Sequence, residues 1–387
     1  MAKKKKEETG SASKPQRWLS LDVFRGLTLA SMLIVNNGWK AKYPMLEHAE
    51  WNGWTFTDLV FPFFVFILGV SIPFSFSNRI IQGADRHKLL LRVVRRFLLL
   101  LLCAFLGAYD PTKGFGYGFV HLRIMGVLTR LALVYFFVAL ITYYTPEENR
   151  RNVYLGFIVF LVGTYWALMK LVPVPGYGAG DLSLEGNLAT YIDLHVLGNN
   201  HLYRPGWDPE GILHTMPAIA TGLLGALTGL WVKSDKKIFE KIATLFMYGF
   251  ICVILGKIFN VWFPINKKLW SPSYVFFTGG LAMCTLAFCV WLIDLKNVRF
   301  WTHPFTWLGS NVILTYMLSG FFINMMTWFS ISDGAGGKVE FRDWYAQHLF
   351  VSWAGPLNGS FLYGLSIVVT WAIITGLLYR KKIFVKL

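Results

Sequence analysis

Apolar runs of about 20 residues recur from end to end of the chain, each the length a helix needs to cross a bilayer core of ~30 Å. The pattern predicts spanning helices over residues 19–38, 57–77, 91–108, 122–144, 153–172, 211–232, 239–261, 273–293, 304–329 and 360–379. The stretch "WYAQHLFVSWAGPLNG", 344–359, is too short and too interrupted to cross, and reads as an interfacial or re-entrant segment. The expected fold class is therefore all-α, a polytopic transmembrane helical bundle of about ten spans. No repeat of 20–50 residues is visible.

Composition agrees with that class. The chain is 55% hydrophobic and only 15% charged, where soluble domains are about 25% charged. The formal net charge of +16 does not call for nucleic acid, because the Lys and Arg residues sit in short loops and tails. "NRIIQGADRHKLLLRVVRR", "PEENRRN", "KSDKK" and "DLKNVRF" fall on one side, together with the basic start "MAKKKKEETGSASKPQR". By the positive-inside rule that side is cytoplasmic, and both termini lie there. Loops 39–56, 109–121, 173–210, 262–272 and 330–343 fall outside, richer in Gly, Pro, Trp and Asn; "FPINKKLW" breaks the pattern with two outer lysines. Residues 1–17 have no apolar core or cleavage site and read as a disordered cytoplasmic tail. The four cysteines, Cys103, Cys252, Cys284 and Cys289, lie in apolar segments and are expected to be buried thiols, with no disulfide framework and no metal spacing.

Polar residues in membrane segments are costly, so each needs a cavity or a partner. Asp22 and Arg25 lie three apart on one face near the inner end of the first helix, which suits either an ion pair or a functional role. Arg130 is deeper, in an otherwise apolar span, and is expected to face inward, as a structural group or against an anionic ligand. Arg92, Arg95 and Arg96 open the third span and suit snorkelling to headgroups. On the outer side, His48 sits among Trp39, Tyr43, Trp51 and Trp54, which could equally be an interfacial aromatic belt. Around it cluster Asn36, Asn37, Asn52 and Asp58. "WDPEGILH" adds Asp208, Glu210 and His214, and "FPINKKLWSPS" adds Lys267, Lys268 and Trp270. Carboxylates and amides suit sugar hydroxyls and indole faces suit sugar rings, although a pore vestibule could use the same set.

Six motifs in order carry a resemblance: "DVFRGLTLASMLIVNN", "HAEWNGWTFTDLVFPFFVFILG", "MGVLTRLALVY", "DPEGILHTMPAI", "PINKKLWSPSYV" and "HPFTWLGSNVILTYM". From about Leu19 to the last span, the chain resembles the heparan-α-glucosaminide N-acetyltransferase family and its bacterial relatives. The resemblance implies a transmembrane acyltransferase domain over 18–387, with acetyl-CoA as co-substrate and no metal. The acetyl group would pass from cytosolic acetyl-CoA to the amine of a glucosamine-type sugar outside. It implies His48 as the active-site histidine and an asparagine after span one, Asn36 or Asn37, in catalysis. It also implies a bacterial-type core in an inner membrane, without the large lumenal portion and leading span of the lysosomal member.

The residues suit that chemistry. An imidazole can take the amine proton or accept the acetyl group itself, a side-chain amide can donate to the oxyanion, and Asp58 can orient the ring. Trp51, Asn52, Asp208, Glu210, His214, Lys267, Lys268 and Trp270 are expected to bind the acceptor. Arg25, Arg130 and Asn311 are expected to hold coenzyme A, and the Phe-rich "FPFFVF" wall suits its pantetheine arm. The expected partners are the amino-sugar acceptor, coenzyme A and membrane lipids, with a homodimer left open and no nucleic acid. Some bacterial relatives have been described as N-acetylglucosamine-related transporters, so the alternative is an amino-sugar transporter without acetyl transfer.

Overall fold

A computed structural model describes residues 18–81, 85–108, 120–332 and 337–385. The expected tail over 1–17 and most of the outer loop 109–121 lie outside the described residues. The described chain is a helical bundle. Its helices are α1 Leu19–Asn36, α2 Phe56–Ile81, α3 Arg86–Ala108, α4 Val127–Tyr144, α5 Arg150–Leu171, α6 Leu188–Leu197, α7 Thr215–Lys233, α8 Ile238–Phe259, α9 Pro272–Cys289, α10 Thr302–Ser310, α11 Val312–Trp328, α12 Phe341–Ala346 and α13 Ser352–Arg380. The strands described form two small antiparallel hairpins, Pro173–Val174 with Gly178–Ala179 and Ser330–Ser332 with Lys338–Glu340.

Among the described residues, eight helices are long and apolar enough to span, or nine if the bent pair α10 and α11 counts as one. The remaining expected span is α3, whose arginines Arg92, Arg95 and Arg96 dilute its apolar run. It lies along α4, with the Arg96 guanidinium 4.5 Å from the Tyr135 ring centre.

One expected span is broken. Residues 304–329 do not run straight: α10 and α11 meet at 86°. Asn311, at the break, has φ −131° and ψ 44°, outside helical values. Its side chain donates to the Ile383 carbonyl at 3.1 Å and accepts the Val385 N–H at 2.8 Å, so the bend is anchored by the C-terminal segment. The segment 344–359 is helical as far as Gly355. There φ is +79°, and Pro356 begins the final span after that break. Of the four cysteines only Cys289 is buried; Cys103, Cys252 and Cys284 are partly exposed, because they lie on less enclosed helix faces.

The core is organised around α7, which packs closely along α2. Their approach depends on glycine: a Cβ at Gly69 would stand 1.9 Å from the Gly222 carbonyl oxygen, and one at Gly225 would stand 2.1 Å from that of Phe66. Small residues facing one another let backbones touch, the main packing device where lipid supplies no hydrophobic drive between helices. This seam fixes the N-terminal end of α2, which carries Asp58, against the start of α7, which follows Asp208 to His214.

Candidate active site

The site is built on the first turn of α2. Thr55 precedes the helix, and Asp58 Oδ2 accepts the Thr55 N–H at 3.1 Å, the reach-back half of a capping box with Asp in the acidic place. The same oxygen accepts the Ala49 N–H at 3.1 Å and the Thr55 hydroxyl at 3.2 Å. Asp58 is 1% exposed, at the helix end whose dipole favours a negative charge. Pro62, one turn on, has no N–H for the Asp58 carbonyl, and the Tyr274 hydroxyl donates there instead. A sequence that would weaken a helix is thus used to join α2 to α9.

Asp58 Oδ1 is left for the imidazole: His48 Nδ1 lies 2.7 Å from it. With Nδ1 bound to a carboxylate, Nε2 is the ring nitrogen that can take a proton. The His48 side chain is half exposed, while its partner is buried. It faces a cavity of about 430 Å³ whose wall includes Asn36, Trp51, Glu210, Lys267, Lys268 and Tyr316. The cavity extends down to Met32, Val60 and Phe61, so part of the Phe-rich segment does line it. Phe64 and Phe66, by contrast, are buried in the bundle. A second space of about 400 Å³ meets His48 and Asn36 from the side of Lys40, Lys42 and Glu47.

The structure separates the two asparagines. Asn36 is exposed and lines both spaces, whereas Asn37 is buried and its amide donates to the Leu33 carbonyl at 2.8 Å. Lys267 and Lys268, the lysines that broke the expected loop-charge pattern, both line the cavity. Their turn is held by Asn266, whose side chain accepts the Leu269 N–H at 2.9 Å and whose N–H donates to Ser271 Oγ at 3.0 Å. Burial lowers the Lys268 pKa, and its ammonium lies 5.7 Å from the Trp51 ring centre and 5.2 Å from that of Trp207.

Arg123, Tyr203, Arg204 and Trp207 were not anticipated from the sequence. The Arg123 fork donates to Asp208 at 2.9 and 2.6 Å and also to Glu210. Burial alone would weaken its charged form, but the two carboxylates outweigh that and raise its pKa. An arginine on the side expected to be outer, together with the two carboxylates of "WDPEG", was the available signal. Asp208 itself stands behind the wall and also accepts the Tyr203 N–H at 2.8 Å.

The other expected residues lie elsewhere. Asn52 accepts from the Asn266 amide at 3.2 Å. Trp270, fully buried with φ +47°, donates its indole N–H to Thr221 Oγ1 at 3.0 Å. Arg130 is fully buried, lies 5.0 Å from the Trp270 ring centre, and donates to the Gly211 carbonyl at 3.3 Å. His214 is buried, with neither ring nitrogen hydrogen-bonded among the described residues. Arg25 pairs with Asp22 at 3.3 Å and donates to Ser71 Oγ at 2.9 Å. At 1.5 Å per residue it stands about 16 Å down α1 from Asn36. Asn311 lies near that same end, since a Cβ on neighbouring Gly309 would meet the Asp22 carbonyl at 2.3 Å. Among the described residues, no group of three His, Cys, Asp or Glu side chains could hold a metal ion.

Residues 20–202 match a family model described as a domain of unknown function, DUF5009. The chain is 32% identical to the human heparan-alpha-glucosaminide N-acetyltransferase over 422 aligned residues, covering 96% of this chain and 60% of that protein. The mouse protein of the same name is 31% identical over 428 residues, covering 97% of this chain and 61% of that protein. The chain thus spans about 60% of the length of the curated relatives it matches. The resemblance carried by the six motifs is borne out along nearly the whole chain, which is similar in sequence to the heparan-alpha-glucosaminide N-acetyltransferases.

Proposed function

We propose that this protein is a membrane-embedded acetyltransferase that moves an acetyl group from acetyl-CoA to the amine of a glucosamine-type sugar. One observation carries the reading: an imidazole fixed at Nδ1 by a buried carboxylate, 2.7 Å away, faces a cavity it shares with a side-chain amide, Asn36. Asp58 holds the tautomer and offsets the charge the ring gains on taking a proton, as the third member of a triad does. His48 Nε2 removes the proton from the attacking nitrogen, and the amine adds to the thioester carbonyl. The Asn36 amide donates to the oxyanion that forms, and collapse expels the thiolate of coenzyme A, which takes up a proton. Trp51 and Trp207 offer ring faces to the sugar, and Glu210 offers a carboxylate to its hydroxyls or ammonium. The donor comes from the inner, basic side and the acceptor from the outer side.

The test is direct. Protein in proteoliposomes, with acetyl-CoA inside and glucosamine outside, should produce N-acetylglucosamine in the outer solution, and His48→Ala should abolish it. Sugar uptake without acetylation would support a transporter instead. Labelled acetyl-CoA with no labelled product on either side would remove the enzyme reading.

A further inference from the structure

Lys267 does not simply reach into the cavity. Its ammonium lies 3.1 Å from His48 Nδ1, 3.4 Å from His48 Nε2 and 3.6 Å from Asp58 Oδ1. The placement is built in. The turn carrying Lys267 is pinned by Asn266, and the Gly53 N–H donates to the Ile265 carbonyl at 2.7 Å, tying that turn to the loop that carries His48. Two opposite charges therefore act on one ring. A carboxylate alone beside an imidazole stabilises its charged form, and a cation at similar range opposes it.

We propose that Lys267 is a positioning residue that opposes the imidazolium form of His48 favoured by Asp58, so that Nε2 is unprotonated when an amine arrives. This rests on the reading of His48 as the base. The ammonium suits the task because it is largely buried and weakly screened. Burial lowers its own pKa, while the charges of Asp58 and Glu210 support it. Other charged groups surround His48, some on its own loop and some on neighbouring elements. Glu47, Lys40 and Lys42 border the second space, Lys268 and Arg204 line the first, and Glu210 there is bound to Arg123. Among the described residues, the charged groups in contact with the His48 ring are Asp58 and Lys267.

The test reads the ring without requiring turnover. Diethyl pyrocarbonate modifies neutral imidazole, and the rate at His48, mapped by mass spectrometry on the full chain in detergent, is followed from pH 5 to pH 8. Lys267→Met should move the midpoint of that profile up by at least about 0.7 pH unit, the size of a unit charge near 4 Å even in bulk water. Lys267→Arg should keep the wild-type midpoint, and Asp58→Asn should move it down; loosening of the loop would shift both variants in one direction and cannot give these opposite signs. If the Met variant fails to fold, Lys267→Gln is read in its place. Equal midpoints in wild type and Lys267→Met, or an equal shift in Lys267→Arg, would overturn the proposal. A shift as expected in a protein that acetylates nothing would uphold the electrostatic role and sink the acetyltransferase reading alone.

Discussion

Asp58→Asn removes one charge and almost no volume, so its consequences can be worked from the contacts. The carboxylate accepts from His48 Nδ1, from two backbone N–H groups and from a hydroxyl, while 1% exposed. An amide offers one acceptor oxygen, so its NH₂ must face at least one of those donors. A buried donor left unsatisfied costs about 1–3 kcal/mol. Lys267 also loses its counter-charge at 3.6 Å, an attraction of about 4–5 kcal/mol at an effective dielectric of ~20. The loop of His48 should therefore loosen, and the ring should lose its fixed tautomer. In a serine-protease triad the same substitution lowers kcat about 10⁴-fold. His48 is half exposed, so water replaces part of what is lost, and a fall of about 10²–10³ is expected, within the range for general-base catalysis. The assay is acetyl-CoA-dependent N-acetylation of glucosamine by purified protein, read by mass spectrometry alongside a thermal unfolding curve. A folded Asp58→Asn protein with kcat within threefold of wild type between pH 6 and pH 8 would refute the reasoning.

The remaining expectations are these. Asn36→Ala should lower kcat by about 10²–10³, the usual loss for one oxyanion donor, whereas Asn37→Ala should leave kcat within a few-fold because its amide is spent on Leu33; parallel kinetics decide. Gly225→Ala should lower the unfolding midpoint in detergent, with an overpacking cost of about 1–3 kcal/mol, because the added methyl would meet the α2 backbone. Burial pushes the Asp193 carboxyl up to about 7, against the Ile212 N–H and with the charge of Asp208 adding to the rise. The folded state then holds a proton that the unfolded state releases above its ordinary value of about 4, so stability should fall as pH rises from about 4 to about 7. Asp193→Asn should flatten that slope in urea titrations, and an unchanged slope would remove Asp193 from the account.

What could be read from the chain follows from range. The spans were legible because a bilayer demands a contiguous apolar run, which one dimension records. The bend at Asn311 was not, because its anchors are the distant backbone groups of Ile383 and Val385. His48 and Asp58 were visible as a pair through their motif, ten positions apart in one loop-to-helix segment. Arg123 was passed over because its partners lie 85 and 87 positions away, in the loop before a different helix.

By itself, then, the sequence determined a polytopic helical protein with a polar, aromatic cluster near His48. Only the tertiary structure decided which members of that cluster meet: Asn36 and not Asn37, and Lys267 on the imidazole. The physical reason is that hydropathy is a property of each residue taken alone. Facing the cavity, by contrast, depends on helix rotation, set here by close glycine contacts of α1 with α10 and of α2 with α7, and by buried hydrogen bonds between loops far apart in the chain.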